Sequence, residues 1–313
     1  MLNRAKNKGS ALISALFIMT LVAIAATAMS TRLQLDIYRT RLTINSDKLY
    51  LASQALSFWA MDMLSSKKIS FRVGDVYGKI SNFPTKLQRL YPEALIEGGL
   101  YDLQARFNLN NLTDKKYQAL FVQLLESISS QMTPDERKEL TLATTNWLMP
   151  YQPGVGNEFF SYYLRKKPGY YPSQQPMQSV SELRLIKGVN AKLYQRLFPY
   201  VIALPESTPI NINTAPKQLL MTLGNGLNEE QVNELLAARR KKGISDLKEL
   251  YPILEKLNIR SDQITVESQY FMTIATVRIG ELSLVNYTII KRNKDKQGKM
   301  SALILSESLN THG

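Results

Sequence analysis

SALISALFIMTLVAIAATAMS, residues 10–30, contains no charged side chain. About 20 apolar residues, each rising ~1.5 Å along a helix, are enough to cross a ~30 Å hydrocarbon core. Arg4, Lys6 and Lys8 precede this stretch, and residues 1–9 contain no acid. Because positively charged flanks stay on the cytoplasmic side, we predict a single-pass anchor that leaves the rest of the chain on the opposite side of the membrane.

A cleaved secretory signal peptide is the alternative interpretation, since Ala26-Thr27-Ala28 satisfies a small-x-small cleavage pattern. The sequence beyond Ala28 favours a retained helix, because no glycine or proline occurs between Ser10 and Val73. Apolar residues recur there at spacings that suit one stripe of a helix, namely Leu33, Ile37, Leu42, Leu49, Leu56 and Met63. We predict one helix from Ala11 to about Ser65, with residues 10–30 in lipid and residues 31–65 amphipathic.

The rest of the chain has the pattern of a sheet interrupted by helices. Apolar and β-branched residues alternate, as in strands, at 100–107, 270–278, 281–291 and 301–306. Helix starts lie between them: Thr133-Pro134-Asp135-Glu136 and Ser179-x-x-Glu182 have capping-box patterns, and Asn228 begins a helix that we expect to end at Gly243. The expected fold class is α+β, a long helix plus an antiparallel sheet with a large all-helical domain inserted in the sheet.

Few residues in this sequence could support catalysis. The chain has one histidine, His312, no cysteine and no glycine-rich phosphate loop, which removes the usual general base, thiol nucleophile and zinc ligands. Its acid pairs fall in predicted first helical turns, where they complement the helix dipole. The net charge is +13, and we interpret the basic runs at 165–167, 239–242 and 291–299 as solvated. We predict that the chain is not an enzyme.

A basic leader ending in glycine, followed by a small residue and a membrane helix with an amphipathic extension, resembles the type IV pilin and pseudopilin class. In that class a prepilin peptidase cuts after the glycine and methylates the new amino terminus, which implies cleavage between Gly9 and Ser10 and N-methylation of Ser10. Most members carry Glu five residues after the cut, where this chain has Ser14. That Glu is thought to pair with the amine of the subunit above, so its absence implies a place at the fibre tip.

Three further stretches are similar to the minor pseudopilin K family of type II secretion systems: GLYDLQARFNLNNL at 99–112, SVSELR at 179–184, and LP at 204–205 leading into ININTAP at 210–216. The resemblance covers nearly the whole chain. It implies a pilin-like α/β domain formed by residues 66–111 and 263–313. It also implies an inserted helical domain, of the helix-hairpin-helix or SAM-like kind, at 112–262.

The same resemblance implies a role and a set of partners. It implies a subunit of the inner membrane that caps the tip of the periplasmic pseudopilus and helps to initiate its assembly for protein secretion. The implied partners are the minor pseudopilins I and J, the major pseudopilin G and the prepilin peptidase, with no nucleic acid. We predict that the helix meets its partners through Leu33, Ile37, Leu42, Leu49, Leu56 and Trp59, although some of these residues must instead cover the chain's own sheet.

Relatives in this family bind calcium through an acidic loop after a tryptophan. In the matching stretch, residues 146–158, only Glu158 is charged, whereas calcium takes several oxygen ligands that are usually carboxylates. We therefore expect no cofactor. A weak site formed by Glu158, Asn157 and backbone carbonyls stays open as the alternative.

A membrane-anchored receptor that captures DNA is the rival hypothesis. The stretches 185–190 and 223–227 resemble the glycine-bearing hairpins of helix-hairpin-helix proteins, which present backbone N–H groups to phosphates. A positive net charge would support such contacts. The usual Pro-Gly core and second glycine of the first hairpin are replaced here by Lys187 and Asn190, so we expect the hairpins to serve packing.

Overall fold

The computed structural model describes residues 8–66, 78–154, 156–239 and 243–311. Residues 1–7 of the predicted leader, residues 240–242 of one basic run, and His312 lie outside these ranges.

The described residues form helices and strands that we number in chain order. The helices are α1 (Lys8–Ser65), α2 (Thr85–Gln88), α3 (Lys115–Ile128), α4 (Pro134–Leu148), α5 (Asn157–Leu164), α6 (Ala191–Leu197), α7 (Lys217–Leu220), α8 (Glu229–Arg239) and α9 (Tyr251–Lys256). The strands are β1 (Lys79–Asn82), β2 (Leu95–Asp102), β3 (Phe107–Asn108), β4 (Val201–Ile202), β5 (Ile210–Asn211), β6 (Ile264–Thr265), β7 (Tyr270–Ile279), β8 (Leu282–Lys294) and β9 (Met300–Leu309).

Helix α1 runs through the possible signal-peptide cleavage point without a break. In the described part of the chain it is the one helix long and apolar enough to cross a membrane, and its apolar window is not buried in the protein. The hydroxyls of Ser14, Thr20 and Thr27 in the apolar stretch donate to backbone carbonyls of the preceding turn, as Thr27 Oγ1 does to the Ala23 carbonyl at 2.6 Å. These side chains therefore need no water in an apolar surrounding.

Five antiparallel strands form the main sheet, in the order β1-β2-β7-β8-β9. β2 and β7 are adjacent, with Leu100 opposite Thr273, although they are far apart in sequence. The chain therefore leaves the sheet at Asp102, forms the helical segment, and returns to the sheet at Tyr270. This arrangement confirms the predicted α+β class.

The C-terminal half of α1 packs one face against this sheet. The apolar residues of that face are buried, and they are Leu49, Ala52, Leu56, Ala60 and Leu64. Gly98 of β2 lies beneath Leu56, where an added Cβ would be 2.8 Å from Leu56 Cδ1 and 2.0 Å from the Ile274 carbonyl oxygen. Gly98 also has a φ of +153°, so glycine is required for the helix to approach the sheet this closely.

The helical segment has a continuous core, to which Tyr270 and Met272 of β7 also belong. Phe107 stacks on Phe121 with ring centroids 5.5 Å apart, and Trp147 meets Tyr163 edge-on at 5.4 Å. Both predicted capping boxes are confirmed, at Thr133 before α4 and at Ser179 before a 3₁₀ segment. The segment also contains two short parallel pairs, β3 with β4 and β5 with β6, which the sequence analysis did not predict.

Replacing Arg292 with leucine is expected to lower the free energy of unfolding by about 1–3 kcal/mol. Arg292 of β8 donates from Nε to the Leu64 carbonyl at 2.9 Å and from Nη2 to the Ser66 carbonyl at 3.1 Å. It thereby satisfies carbonyls at the C-terminal end of α1, where a cation also complements the helix dipole. Thermal unfolding followed by circular dichroism measures the loss. Arg278→Leu, on the exposed side of β7, is the matched control, and an equal loss in both variants would contradict this role.

Candidate functional site

The two faces of α1 differ in what covers them. Four large apolar side chains recur every seven residues and are exposed: Ile37 and Ile44 at 48% each, Leu51 at 60% and Phe58 at 63%. Seven residues are about two helical turns, so these side chains lie on one face. Leu33, four residues before Ile37, extends this line and is also exposed. We call Leu33, Ile37, Ile44, Leu51 and Phe58 the exposed row.

The exposed row lies opposite the face that covers the sheet. Leu51 follows the buried Leu49 by two residues, and Phe58 follows the buried Leu56 by two. Two residues correspond to a turn of about 200° around a helix. The sheet thus occupies one side of α1 and leaves the exposed row uncovered.

The sequence-predicted partner contacts divide between these two faces. Leu33 and Ile37 are exposed and belong to the row, and Leu42 is half-buried. Leu49 and Leu56 are buried in the chain's own core, so their assignment to the partner surface was wrong. Trp59 is also partly buried there, edge-on to Phe83 at 5.9 Å. These side chains pack on the apolar face of the sheet. The prediction from sequence already stated that some of the six residues would cover the chain's own sheet.

The contact residues predicted from the sequence did not include Ile44, Leu51 and Phe58, which are exposed on α1. The signal was present, since these residues continue the spacing of seven from Ile37. A second stripe at Leu42, Leu49 and Leu56 has the same spacing, and a periodicity alone does not say which stripe faces the protein's own sheet.

An apolar patch beside Leu51 widens the exposed row. A cavity of about 210 Å³ lies there between α1, the loop after α2 and the end of β7. It is lined by Leu51, Leu90, Tyr91, Pro92, Ala94 and Ile279, among others, and Leu90 is 70% exposed. An ion pair from Lys48 Nζ to Glu93 Oε2, at 2.5 Å, lies at the rim. A contiguous apolar surface with a polar rim is typical of a protein contact site.

Ser14 needs no partner from another chain. Its Oγ donates to the Ser10 carbonyl at 3.0 Å within α1, and residues 10–30 contain no ionisable side chain. A carboxylate at this depth would be costly without a cation beside it. The hydroxyl is instead satisfied inside the helix.

A buried carboxylate connects the sheet to the helical segment. Asp102, at the end of β2, is fully buried, and its Oδ2 accepts hydrogen bonds from Thr214 Oγ1 at 2.6 Å, Ser268 Oγ at 2.7 Å and Asn211 Nδ2 at 2.9 Å. Its Oδ1 accepts from the Gln104 N–H at 2.9 Å. Burial raises the pKa of the Asp102 carboxyl, and the hydrogen bonds from Thr214 and Ser268 oppose that rise.

Asparagines of the 99–112 and 210–216 stretches have a related structural task. Asn110 Nδ2 donates to the carbonyls of Met177 and Leu204, and its Oδ1 accepts from the Met177 N–H. Asn213 pairs in the same way with both backbone groups of Ile244. These side-chain amides form the hydrogen bonds that buried backbone groups of the loops would otherwise lack. The two stretches thereby stabilise the helical segment.

The chain matches one known protein family over two adjacent stretches. Two family models described as "Type II secretion system (T2SS), protein K" match residues 105–206 and 210–267, together about half of the chain. The chain belongs to the type II secretion system protein K family. As a member of this family, the chain is a minor pseudopilin, which is a component of a protein secretion apparatus. The family is not a known enzyme class.

Two curated members of this family match along nearly their full length. Type II secretion system protein K of Klebsiella pneumoniae is 28% identical over 96% of this chain and 95% of its own length. The protein K of Aeromonas hydrophila is 28% identical over 92% of this chain and 94% of its own length. The apolar start of α1 is compatible with single-pass anchoring in the inner membrane.

A solved structure shares the fold. It is the crystal structure of the GspK-GspI-GspJ complex from the type 2 secretion system of enterotoxigenic Escherichia coli. One of its chains matches with a TM-score of 0.70 and 22% identity, covering 87% of this chain and 99% of that one.

The two hairpins that suggested DNA binding differ in how closely neighbouring atoms approach their glycines. In the second, a Cβ at Gly224 would lie 2.5 Å from the Leu257 carbonyl oxygen, and one at Gly226 would lie 2.8 Å from Gln123 Oε1. Neighbouring segments therefore pack closely against this hairpin, although Gly226 itself is exposed. Gly188 of the first hairpin is exposed and has a φ of +91°.

The residues considered for calcium do not fit that ion. Asn157 and Glu158 lie in the first turn of α5, and the cavity that they line is also lined by Arg165, Lys166 and Lys187. Within the described ranges, no three His, Cys, Asp or Glu side chains gather closely enough to hold a metal. One carboxylate beside three cations is a poor donor set for calcium. We therefore assign no part of the function to a calcium ion.

Proposed function

We propose that this minor pseudopilin occupies the tip of the periplasmic pseudopilus and helps to start its assembly. The observation that carries the proposal is the exposed row of α1, which lies on the face that the chain's own sheet leaves uncovered. An apolar helix face outside the membrane is costly to leave in water. Helices of partner subunits are the natural cover, because the spacing of seven suits helix-helix packing.

The partners in this proposal are the minor pseudopilins I and J. The structure that shares this fold was solved in complex with GspI and GspJ. The row together with the Leu90 patch offers apolar surface on two sides of Leu51, which suits contact with more than one helix. Subunits of the major pseudopilin G would then be added below these three minor pseudopilins.

The position at the tip follows from two features of the chain. Ser14 supplies no carboxylate for the amine of a subunit above, whereas the amine of Ser10 would still be available to an acid from a subunit below. The segment from Asp102 to Tyr270, which includes the proposed inserted domain at 112–262, adds bulk beyond the sheet. Both features disfavour a further subunit above this one.

Processing at Gly9 is part of the proposal and has a direct test. Cleavage by the prepilin peptidase would leave Ser10 as a methylated amino terminus, with the rest of α1 retained as the anchor. We expect the wild-type protein extracted from membranes to begin at N-methyl-Ser10 by mass spectrometry. A Gly9→Leu variant should keep residues 1–9, because a bulky side chain blocks a site that accepts glycine.

Copurification completes this test. The processed protein should copurify with pseudopilins I and J, and the Gly9→Leu variant should not support secretion. Ala28→Leu is the matched control, since it alters the small-x-small pattern alone. A mature chain that begins at Met29 and is free of the membrane would contradict the proposal.

A further inference from the structure

A groove on the helical segment lies far along the chain from the exposed row. Two adjoining cavities, of about 500 and 600 Å³, are lined by residues from α4, α5, α6 and the loop before α6. Tyr162 and Lys187 line both cavities. We call this surface the α5–α6 groove.

The groove is rich in cations. Its lining includes Arg165 and Lys166 from the end of α5, and Lys187, Lys192 and Arg196 from the first hairpin and α6. The basic run at 165–167, which we interpreted from the sequence as solvated, thus lies beside a second set of cations that begins at Lys187, some twenty residues later.

Most of these cations are not neutralised by the protein. Lys187 Nζ is paired with Glu139 Oε1 at 2.7 Å, and Lys166 Nζ lies 4.5 Å from the ring centroid of Tyr162. Among the described residues, no carboxylate lies within ion-pair distance of Arg165, Lys192 or Arg196. Lys192 and Arg196 are one helical turn apart, so their charges act on the same region.

Apolar groups and carboxylates lie among these charges. Met132, Leu140 and Leu193 contribute apolar surface to the larger cavity. Glu136 and Glu139 also line it, and Glu158 lines the smaller one. Carboxylates at these positions repel a continuous phosphate backbone, whereas a ligand with separated negative charges and apolar groups between them can avoid them.

We infer that the α5–α6 groove binds an acidic, partly apolar segment of a partner polypeptide. This inference goes beyond the proposed tip role, because it concerns a surface other than the exposed row. Complementary charge gives such a contact specificity and speed of association more than affinity. Salt weakens it, since the Debye length is about 8 Å at physiological ionic strength.

The test uses the full chain in a neutral detergent and a short fluorescein-labelled peptide of alternating glutamate and leucine. Fluorescence anisotropy measures binding, and the same peptide with glutamine in place of glutamate is the ligand control. We expect the double variant Lys192→Glu with Arg196→Glu to bind at least about tenfold more weakly, because both exposed cations become repulsive. The matched control is Lys115→Glu with Lys248→Glu, two exposed lysines outside the groove, and it should bind within about twofold of wild type.

Each other outcome overturns the inference. An equal loss in the control variant would mean that net charge alone attracts the peptide. Equal binding of the glutamine peptide would remove the role of the cations. A duplex DNA that binds more tightly than the peptide and is lost in the same groove variant would assign the surface to nucleic-acid phosphates. Absence of peptide binding would also reject the groove as a docking site. None of these results depends on processing, copurification or secretion, so they leave the tip proposal to its own test.

Discussion

Asp102→Ala is expected to destabilise the folded protein by about 3 kcal/mol or more, because several buried donors lose their acceptor at once. The side chains of Asn211, Thr214 and Ser268 all donate to Asp102 Oδ2, and each costs about 1–3 kcal/mol when it is left buried without a partner. Relief from burying a carboxylate offsets part of this loss. Thermal unfolding followed by tryptophan fluorescence measures the loss of stability, since Trp59 lies against the sheet and Trp147 lies in the helical segment.

Asp102→Asn is the matched comparison for this prediction. Its amide oxygen can still accept from the Gln104 N–H, and the hydroxyls of Thr214 and Ser268 can turn to accept from its amide. We therefore expect a smaller loss than with alanine. Unfolding of the alanine variant at the wild-type temperature would show that these bonds contribute nothing net to stability. An asparagine variant less stable than alanine would show that the charge itself is needed.

Much of this fold could be predicted from the sequence because its signals are local. A run without glycine or proline from Ser10 to Val73 predicted α1, and alternation at 270–278 and 281–291 predicted β7 and β8. The capping boxes at Thr133 and Ser179 were read correctly for the same reason. A cap depends on residues three apart in the chain, so its pattern is visible without knowledge of the tertiary fold.

The sites were harder to predict because they depend on contacts between distant residues. Leu49 and Leu51 look alike in the sequence, and only the position of the sheet makes one a core residue and the other a surface residue. Asp102 lies at the end of a strand, and the side chains that donate to it are more than a hundred residues later. The α5–α6 groove likewise forms only when α5 and α6 are brought together. Composition and periodicity do not contain this information.

The double variant Leu51→Glu with Phe58→Glu is expected to abolish copurification with pseudopilins I and J, while the protein itself stays folded. Both side chains are more than half exposed, so the substitutions cost the monomer little. In an interface they would remove two large apolar side chains, each worth about 1.5–3 kcal/mol when buried, and would place two charges there instead. A loss of about 3 kcal/mol or more corresponds to at least about a hundredfold weaker association.

Leu142→Glu with Tyr251→Glu is the matched control for this variant. These residues are similarly exposed, at 54% and 49%, but lie on α4 and α9, away from α1. Circular dichroism should show that both double variants fold, and secretion of an exported protein in cells should fail for the α1 variant alone. If the α1 variant still copurifies with its partners and secretes at the wild-type rate, the exposed row is not the assembly surface. The buried stripe could not take its place, because Leu49 and Leu56 are already covered by the sheet.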